Sequence, residues 1–313
     1  MGMTDVPPAA TPTAAPSLRE RLSLAPWMRG LAWTTLAVNI LLVVTGGAVR
    51  LTGSGLGCST WPECHPGDFT PRDELNIHSA IEFSNRMLTF VLVVVAVATM
   101  VAAWQTRRRD LRWIALLILG GIPAQAVIGG ISVLTDLNPW VVSVHLVSSM
   151  AIIGLAVLLL WRIYVGATAA VSGPTSWLAW ATFAVAWLVL YAGTVVTGAG
   201  PHAGDPNAPR NGLSALQFSQ LHADLVCLLI GLTIGLLFAV HAFKAPYAVR
   251  RAVWVLFAIE LAQGAIGWVQ YFTDLPIVLV MFHMFGAALI SAAVTWVLLA
   301  VAHPSTDGSV PVE

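Results

Sequence analysis

Eight long apolar runs constrain the fold of this chain more than any other feature. They cover residues 31–49, 75–104, 113–134, 139–161, 177–196, 213–243, 252–272 and 275–302. A run of about 20 apolar residues is long enough to cross the hydrocarbon core of a bilayer as a helix. The chain is 58% hydrophobic and only 10% charged, far from the balance of a soluble domain. The sequence therefore predicts an all-α integral membrane protein with eight transmembrane helices.

The basic residues predict which way the chain is oriented. Eleven of them fall on one side of the spans, and these are Arg19, Arg21, Arg29, Arg107, Arg108, Arg109, Arg112, Arg162, Lys244, Arg250 and Arg251. Loops on the opposite side carry only Arg50, Arg72 and Arg210. Because cytoplasmic loops carry the excess of Lys and Arg, both termini are expected in the cytoplasm, with the protein in the cell membrane. The zero net charge argues against a nucleic-acid partner.

One phrase of the sequence occurs twice, 138 residues apart. The first copy runs Ala124-Gln125, Ile128-Gly129, Thr135-Asp136-Leu137 and His145, and the second runs Ala262-Gln263, Ile266-Gly267, Thr273-Asp274-Leu275 and His283. Because four spans separate the copies, both halves run in the same direction, which predicts a parallel repeat about an axis along the membrane normal. Each half is expected to be a four-helix bundle, 29–165 and 166–302, with tails at 1–28 and 303–313.

Three histidines are predicted to lie at one depth on alternate spans. His145 and His283 each come nine residues after an Asp at the outer turn, and His222 comes ten residues after a glycine, which is roughly 13–15 Å along each helix. A single intramembrane histidine is typically a packing residue, but three at one depth indicate ligands of haem iron or another metal. The chain has no thiolate cluster that would favour zinc or an iron–sulfur centre. His222 and His283 form a natural bis-imidazole pair in the second half, and the haem sites face the outer side.

The first outer loop contains two cysteines, Cys58 and Cys64. An outer loop is an oxidising location, where a disulfide can persist. A bridge between them is compatible with either a structural or a redox role.

Three parts of the sequence match motifs of one known family. They are GGAVRLTGSGLGC at 46–58 followed by WPEC at 61–64, IEFSNR at 81–86, and GPHAGD at 200–205. In this order they resemble the first-loop motif, the second-span motif and the second-half outer loop of the haem A synthase family, of the single-chain, eight-span, actinobacterial type. The resemblance extends over all eight spans.

The resemblance implies a function and a set of roles. Such an enzyme is a haem-dependent oxidoreductase that converts a ring methyl of haem O to a formyl group by successive hydroxylations, which supplies haem A to cytochrome oxidase. The second half would hold a b-type haem between His222 and His283, and the first half would hold haem O at His145. Glu82 would be essential to the chemistry, and Cys58 and Cys64 would form a disulfide. Expected partners are the farnesyltransferase that makes haem O and a redox partner that the sequence does not identify.

One position departs from the pattern of the family. The family has a histidine ligand three residues after the glutamate, where this chain has Asn85. By depth Asn85 is the counterpart of His222, whereas His78 lies seven residues earlier, about 10 Å along the helix. Three arrangements stay open: His145 ligates the substrate iron alone, His78 ligates from a deeper span start, or Asn85 holds water or a propionate. We favour the first.

The charged residues of the spans also have alternative interpretations. Glu82 in a low-dielectric site suits a proton acceptor, but it also suits an ion pair with Arg86 at i+4. Arg50 and Arg86 are candidates for binding haem propionates, while Arg50 alternatively suits an interfacial anchor. Glu260 is expected to make a hydrogen bond between helices. Two other function classes are a diheme carrier that oxidises quinol and a transporter built from a parallel repeat.

Overall fold

The computed structural model describes residues 23–70, 77–166 and 172–303. The predicted tails up to residue 22 and from residue 304 lie outside the described residues, as do the start of the second span at 75 and the basic residues Arg19, Arg21 and Arg72. The described part of the predicted N-terminal tail contains a 3-10 turn, Ala25–Trp27, just before the first helix. The side chain of Gln105 stabilises the start of this turn, because its Oε1 accepts hydrogen bonds from the backbone N–H groups of Leu24 and Ala25.

Eight long helices account for most of the described chain. In chain order they are α1 (Met28–Leu51), α2 (Ile77–Gln105), α3 (Arg109–Leu134), α4 (Pro139–Tyr164), α5 (Pro174–Ala199), α6 (Ala215–Ala242), α7 (Tyr247–Phe272) and α8 (Ile277–Ala302). Each is long and apolar enough to cross a membrane. The prediction of an all-α protein with eight spans is confirmed.

Several helices begin before the apolar run that predicted them. For α7 the run begins at residue 252, whereas the helix begins at Tyr247 and includes Arg250 and Arg251. Hydropathy marks only the segment inside the hydrocarbon, and a helix continues through polar residues into the interfacial region. The apolar runs therefore located all eight helices, and they underestimated the length of five of them, whereas the runs 75–104, 213–243 and 275–302 begin two residues before their helices.

The helices pack as two rings of four. In the first half α1 contacts α2 and α4, and α3 contacts the same two helices; in the second half α5 and α7 each contact α6 and α8. The halves meet through contacts of α1 with α8, of α4 with α5 and of α4 with α8. This pattern is unchanged when each helix is exchanged with the one four places along the chain, as a parallel repeat requires. The repeat itself stays a prediction.

The repeated Thr-Asp-Leu phrase forms the same turn in both halves. Asp136 and Leu137 have φ of 50° and 61°, and Asp274 and Leu275 have φ of 58° and 57°. Each leucine N–H donates to the carbonyl five residues earlier, which caps the preceding helix in the Schellman manner. The phrase thus fixes the angle at which α4 and α8, the two helices that carry the repeated histidines, leave their turns.

The apolar cores lie at one end of the two bundles. We call the end that contains residues 52–70 and 200–214 the loop end, and the opposite end the terminal end. The two largest clusters of buried apolar side chains occupy the terminal half, in the first bundle around Ile118 and Ile153 and in the second around Leu236 and Val294. The predicted ligand histidines lie beyond these cores, in the loop-end half.

Candidate functional site

Two imidazoles face each other inside the second bundle. The ring centroids of His222 on α6 and His283 on α8 are 6.5 Å apart, with an angle of 77° between the planes. Each histidine lies six or seven residues after the start of its helix, roughly 9–11 Å along the axis. Metal–imidazole bonds are about 2 Å long, so two imidazoles on one metal have centroids about 6 Å apart. The observed separation fits two ligands of a single iron.

Glycines hold both rings against the backbone of the neighbouring helix. A Cβ atom added to Gly193 on α5 would lie 3.2 Å from Cε1 of His222, and one added to Gly267 on α7 would lie 3.3 Å from Cε1 of His283. The Nδ1 atom of His283 is buried and has no hydrogen-bond partner among the described residues, whereas the His222 ring interacts with the backbone of Val189 on α5. Buried polar atoms usually have a partner, so the environment of the His283 ring suits a metal ligand better than a packing residue.

The first bundle repeats this arrangement with one change. His145 on α4 lies against Gly129, where an added Cβ would be 3.3 Å from Cε1, and its Nδ1 is likewise buried without a described partner. On α2 of the same bundle, Asn85 lies against Gly46 of α1. A Cβ added to Gly46 would be 4.0 Å from Nδ2 of Asn85. Asn85 Oδ1 accepts a hydrogen bond of 2.7 Å from the hydroxyl of Thr45. Asn85 therefore occupies the position that corresponds to His222.

His78 is placed away from these positions. It lies seven residues before Asn85 on α2, and its Nδ1 atom is 3.0 Å from the hydroxyl of Ser54 in the first loop. The next residue, Ser79, donates a hydrogen bond of 2.7 Å to the carbonyl of Gly57. These contacts connect the loop end of α2 to the first loop. His78 lies about two helical turns nearer the loop end than Asn85, which is the residue of α2 at the depth of His145.

Glu82 is buried beneath the first loop. Its side chain is only 5% exposed, Oε2 accepts a 2.7 Å hydrogen bond from the backbone N–H of Cys58, and Oε1 accepts hydrogen bonds of 2.6 and 3.1 Å from Arg86. Arg86 also donates to the backbone carbonyls of Thr60 and Glu63. The ion pair expected at i and i+4 is therefore present, and it is joined to the loop rather than isolated on the helix.

The loop above Glu82 is closed by a disulfide. Cys58 and Cys64 are bonded to each other and fully buried. Trp61, which lies between the two cysteines in the sequence, packs on α3 at Gly130. Its indole ring is so close to the backbone there that a Cβ added to Gly130 would overlap it. Gly130 is the neighbour of the glycine that supports His145. The disulfide loop therefore covers the loop end of the first bundle, close to the predicted substrate ligand.

Arg50 joins the two halves of the molecule. Its Nε donates a 2.8 Å hydrogen bond to the carbonyl of His202, and Nη2 donates one of 3.1 Å to the carbonyl of Thr197. Close by, the N–H of Gly55 donates to the carbonyl of Gly204 at 2.8 Å. Neither sequence interpretation of Arg50 included this role, because its partners lie about 150 residues away in the chain.

The sequence interpretation missed the residues that support the predicted ligands. The glycines against the rings were visible in part, since Gly129 and Gly267 belong to the repeated phrase. Thr45 gave no signal, since a lone hydroxyl on an apolar helix is common, and Ser54 belongs to the first-loop motif without its contact with His78 being evident from the sequence. Beside Asn85 a cavity of about 450 Å³ opens between α1 and α2, with Thr45 and Ser84 among its lining residues.

Comparison with known proteins gives consistent matches. The family model COX15-CtaA, described as cytochrome oxidase assembly protein, matches residues 29–205. A haem A synthase of Staphylococcus epidermidis is 25% identical over 275 residues, which is 82% of this chain and 90% of the relative. One of Lysinibacillus sphaericus is 28% identical over 299 residues, 88% and 96% of the two chains. One of Bacillus pumilus is 33% identical over 139 residues, 42% and 44% of the two chains.

Proposed function

The chain belongs to the COX15-CtaA family of cytochrome oxidase assembly proteins, and we propose that it is a haem A synthase, an oxidoreductase that converts haem O to haem A. The observation that carries the proposal is the pair formed by His222 and His283. Its centroid separation fits two imidazoles on one iron, and the similarity to haem A synthases covers most of the chain.

We propose that the second bundle holds a b-type haem between His222 and His283. The residues fit such a group, because Gly193 and Gly267 let the rings lie against the backbone and because Nδ1 of His283 is buried without a described partner. A haem bound there supplies one-electron redox chemistry. The protein positions the two rings and excludes water with the apolar core at the terminal end.

The first bundle is proposed to bind haem O as the substrate, with His145 as the protein ligand of its iron. Asn85 lies on the opposite side, but an amide nitrogen has no free lone pair for a metal, and the amide oxygen already accepts the Thr45 hydroxyl. The amide NH₂ group can still donate to water or to a propionate. His78 is held by Ser54 near the loop, which favours His145 as the sole protein ligand.

Glu82 is proposed to accept protons during the oxidation. Converting a methyl to a formyl group removes hydrogen from carbon, so protons have to leave a site that the loop covers. The carboxylate is held by Cys58 N–H and by Arg86, and it lies under the loop that packs beside the His145 support. A general base contributes typically 100-fold or more when it is positioned in this way. The same ion pair also stabilises the helix, so both interpretations of Glu82 apply to one structure.

The location and partners belong to the same proposal. Within the described chain Arg108, Arg112 and Arg250 lie at the terminal end, which supports the proposal that this end faces the cytoplasm in a cell membrane, with the haem sites toward the outer side. Haem O is poorly soluble in water, so transfer from the farnesyltransferase that makes it is an expected interaction. A redox partner that exchanges electrons with the protein is also an expected interaction.

The experiment that tests the function is haem extraction from membranes that make haem O, with and without this protein. Haem A is expected only when the protein is present. A His222→Ala/His283→Ala variant expressed at the same level is the control, and it should leave haem O unconverted. Unchanged haem O in membranes that contain the wild-type protein with bound b-type haem would contradict the synthase proposal and favour a diheme electron carrier, which needs the same histidine pair.

A further inference from the structure

Glu260 is a buried carboxyl group that the proposed reaction does not use. It lies on α7 and is only 2% exposed. Its Oε1 atom accepts a 2.8 Å hydrogen bond from the hydroxyl of Thr233 on α6, while Oε2 is buried and has no hydrogen-bond partner in the described part of the chain. An ionisable group at such a depth in a membrane is costly and therefore indicates a function.

The first bundle shows that the fold does not require this polar pair. Gly129 and Gly267 make equivalent contacts in the two halves, and the number of residues between them also separates Ile122 from Glu260. Asn85 and His222 are equivalent in the same way, and the number of residues between them also separates Ala96 from Thr233. Ile122 and Ala96 pack together in one apolar cluster of the first bundle. An apolar pair thus fills this position in one half. The carboxyl and the hydroxyl occur in the half that contains the two facing histidines.

The position of Glu260 relates it to that histidine pair. Glu260 lies seven residues before Gly267, which is two helical turns or about 10 Å toward the terminal end and on the same face of α7. Thr233 lies eleven residues after His222, three turns along the same face of α6. The carboxyl group is therefore in the interior of the second bundle, below the imidazoles and not in contact with them.

We propose that Glu260 is a proton-binding site coupled to the redox state of the haem in the second bundle. When a one-electron donor reduces the iron from the ferric to the ferrous form, the Glu260 carboxylate binds one proton from water and becomes a neutral carboxyl group. Reoxidation of the iron releases that proton. This inference rests on the proposed function, because it requires a haem between His222 and His283.

Electrostatics accounts for the coupling. Reduction removes one positive charge from the iron, so the carboxylate loses a favourable interaction with it. For a unit charge about 10 Å away and an effective dielectric constant of about 20, this loss changes the proton affinity by roughly tenfold. The hydroxyl of Thr233 keeps the carboxyl oriented in both states, since it donates to Oε1.

Other titratable groups of the second bundle are placed differently. The ligand histidines themselves are held by iron in the proposal, and α5 and α8 contribute no carboxylate or basic side chain to the interior. Asp224 is on the exposed, outward face of α6. His241, Arg250 and Arg251 lie at the terminal end, where Nδ1 of His241 donates a hydrogen bond to the Leu237 carbonyl. Glu260 is thus the acidic group that faces the pair from within the described bundle.

The test is a redox titration of the haem in the purified wild-type protein and in Glu260→Gln, repeated over a range of pH and followed by haem absorbance. The wild-type midpoint potential should fall as pH rises, because the reduced state holds the extra proton. Because the coupling is roughly tenfold, the reduction equilibrium constant should change by about tenfold in total across the titration of Glu260, about 59 mV, with a slope below 59 mV per pH unit. In Glu260→Gln, whose amide keeps the shape and the contact with Thr233, the potential should be independent of pH over the same range.

Two further variants keep the inference falsifiable. Glu260→Ile/Thr233→Ala copies the apolar pair of the first bundle and should fold, hold haem and lose the pH dependence. Asp224→Asn removes a carboxyl on the outward face and should keep the wild-type slope. A redox infrared difference spectrum should show a protonated carboxyl on reduction of the wild type, and Glu260→Gln should lack that band.

Each failure has a distinct meaning. The inference is overturned if the wild-type potential does not vary with pH, or if Glu260→Gln shows the same slope as the wild type. The proposed function still stands in that case if the protein produces haem A. A wild-type protein that holds no haem at His222 and His283 overturns both.

Discussion

Glu82 accepts a 2.7 Å hydrogen bond from the backbone N–H of Cys58, which joins an intramembrane carboxylate directly to a disulfide. Two of the three motifs that resemble haem A synthase, the one in the first loop and the one in the second span, therefore form one structural unit. Arg86 completes it by pairing with Glu82 and donating to loop carbonyls. A change in the loop thus acts on the position of the carboxylate, and a change in the carboxylate acts on the loop.

Replacing Glu82 with glutamine should lower haem A formation by about 100-fold or more, because the amide cannot accept a proton as the carboxylate does. Haem O conversion in membranes measures this effect, and haem content of the purified variant should stay at the wild-type level. The matched control is Asp110→Asn, which breaks the ion pair with Arg108, also 2.6 Å long, at the terminal end. Wild-type conversion by Glu82→Gln with normal haem content would contradict the catalytic role.

A histidine in place of Asn85 should give the first bundle the ligand set of the second. The Gly46 backbone leaves space there, since an added Cβ would approach Asn85 no closer than 4.0 Å. With haem O bound, Asn85→His should show a second low-spin electron paramagnetic resonance signal, similar in size to that of the second-half haem. Asn85→Ala is the control and should show no such signal. An unchanged spectrum in Asn85→His would mean that the residue does not face the substrate iron.

His145 and His78 should differ in their effect on substrate binding. His145→Ala should abolish binding of haem O to the first bundle, whereas His78→Ala should only weaken it by disturbing the contact with Ser54. Titration of each purified variant with haem O, followed by absorbance, compares the two. Equal loss in both variants would contradict the assignment of His145 as the sole protein ligand.

The spans and the depth of the histidines could be predicted because both depend on local properties of the chain. Hydropathy over about 20 residues locates a span, and a rise of about 1.5 Å per residue converts sequence position into depth. These two rules placed His222 and His283 at one level before any contact was known. Their distance of 6.5 Å required the packing of α6 against α7 and of α7 against α8.

The contacts that build the site could not be predicted in the same way. The hydrogen bonds of Glu82 with Cys58 and of Ser54 with His78 depend on how an irregular loop folds back onto a helix. No periodicity describes such a loop. The Arg50 contacts cross between the two halves, so they depend on the interface of two bundles rather than on either bundle alone.

The role of Arg50 can be tested with a conservative pair of variants. Arg50→Lys and Arg50→Gln should both lower thermal stability in detergent, by about 1–3 kcal/mol, because neither side chain can reproduce two guanidinium hydrogen bonds to separate carbonyls. Thermal unfolding and haem content are measured together. If Arg50→Lys behaved as wild type while Arg50→Gln lost haem O, the positive charge would be the essential property, which would favour propionate binding over the connection between the halves.

The glycine contacts predict a position-specific effect on α7. In Gly267→Ala the new methyl group would lie 3.3 Å from Cε1 of His283, so the ring or the helix has to move by a few tenths of an ångström. Such a shift should weaken haem binding by roughly tenfold, about 1.4 kcal/mol, since a packed ring has no free space into which to move. Gly264→Ala lies on the same helix with nothing within 4 Å of the added atom and should bind haem normally. Because both changes raise helix propensity alike, a difference between the variants reports the ring contact, and equal haem affinity would show that His283 does not depend on the close approach of α7.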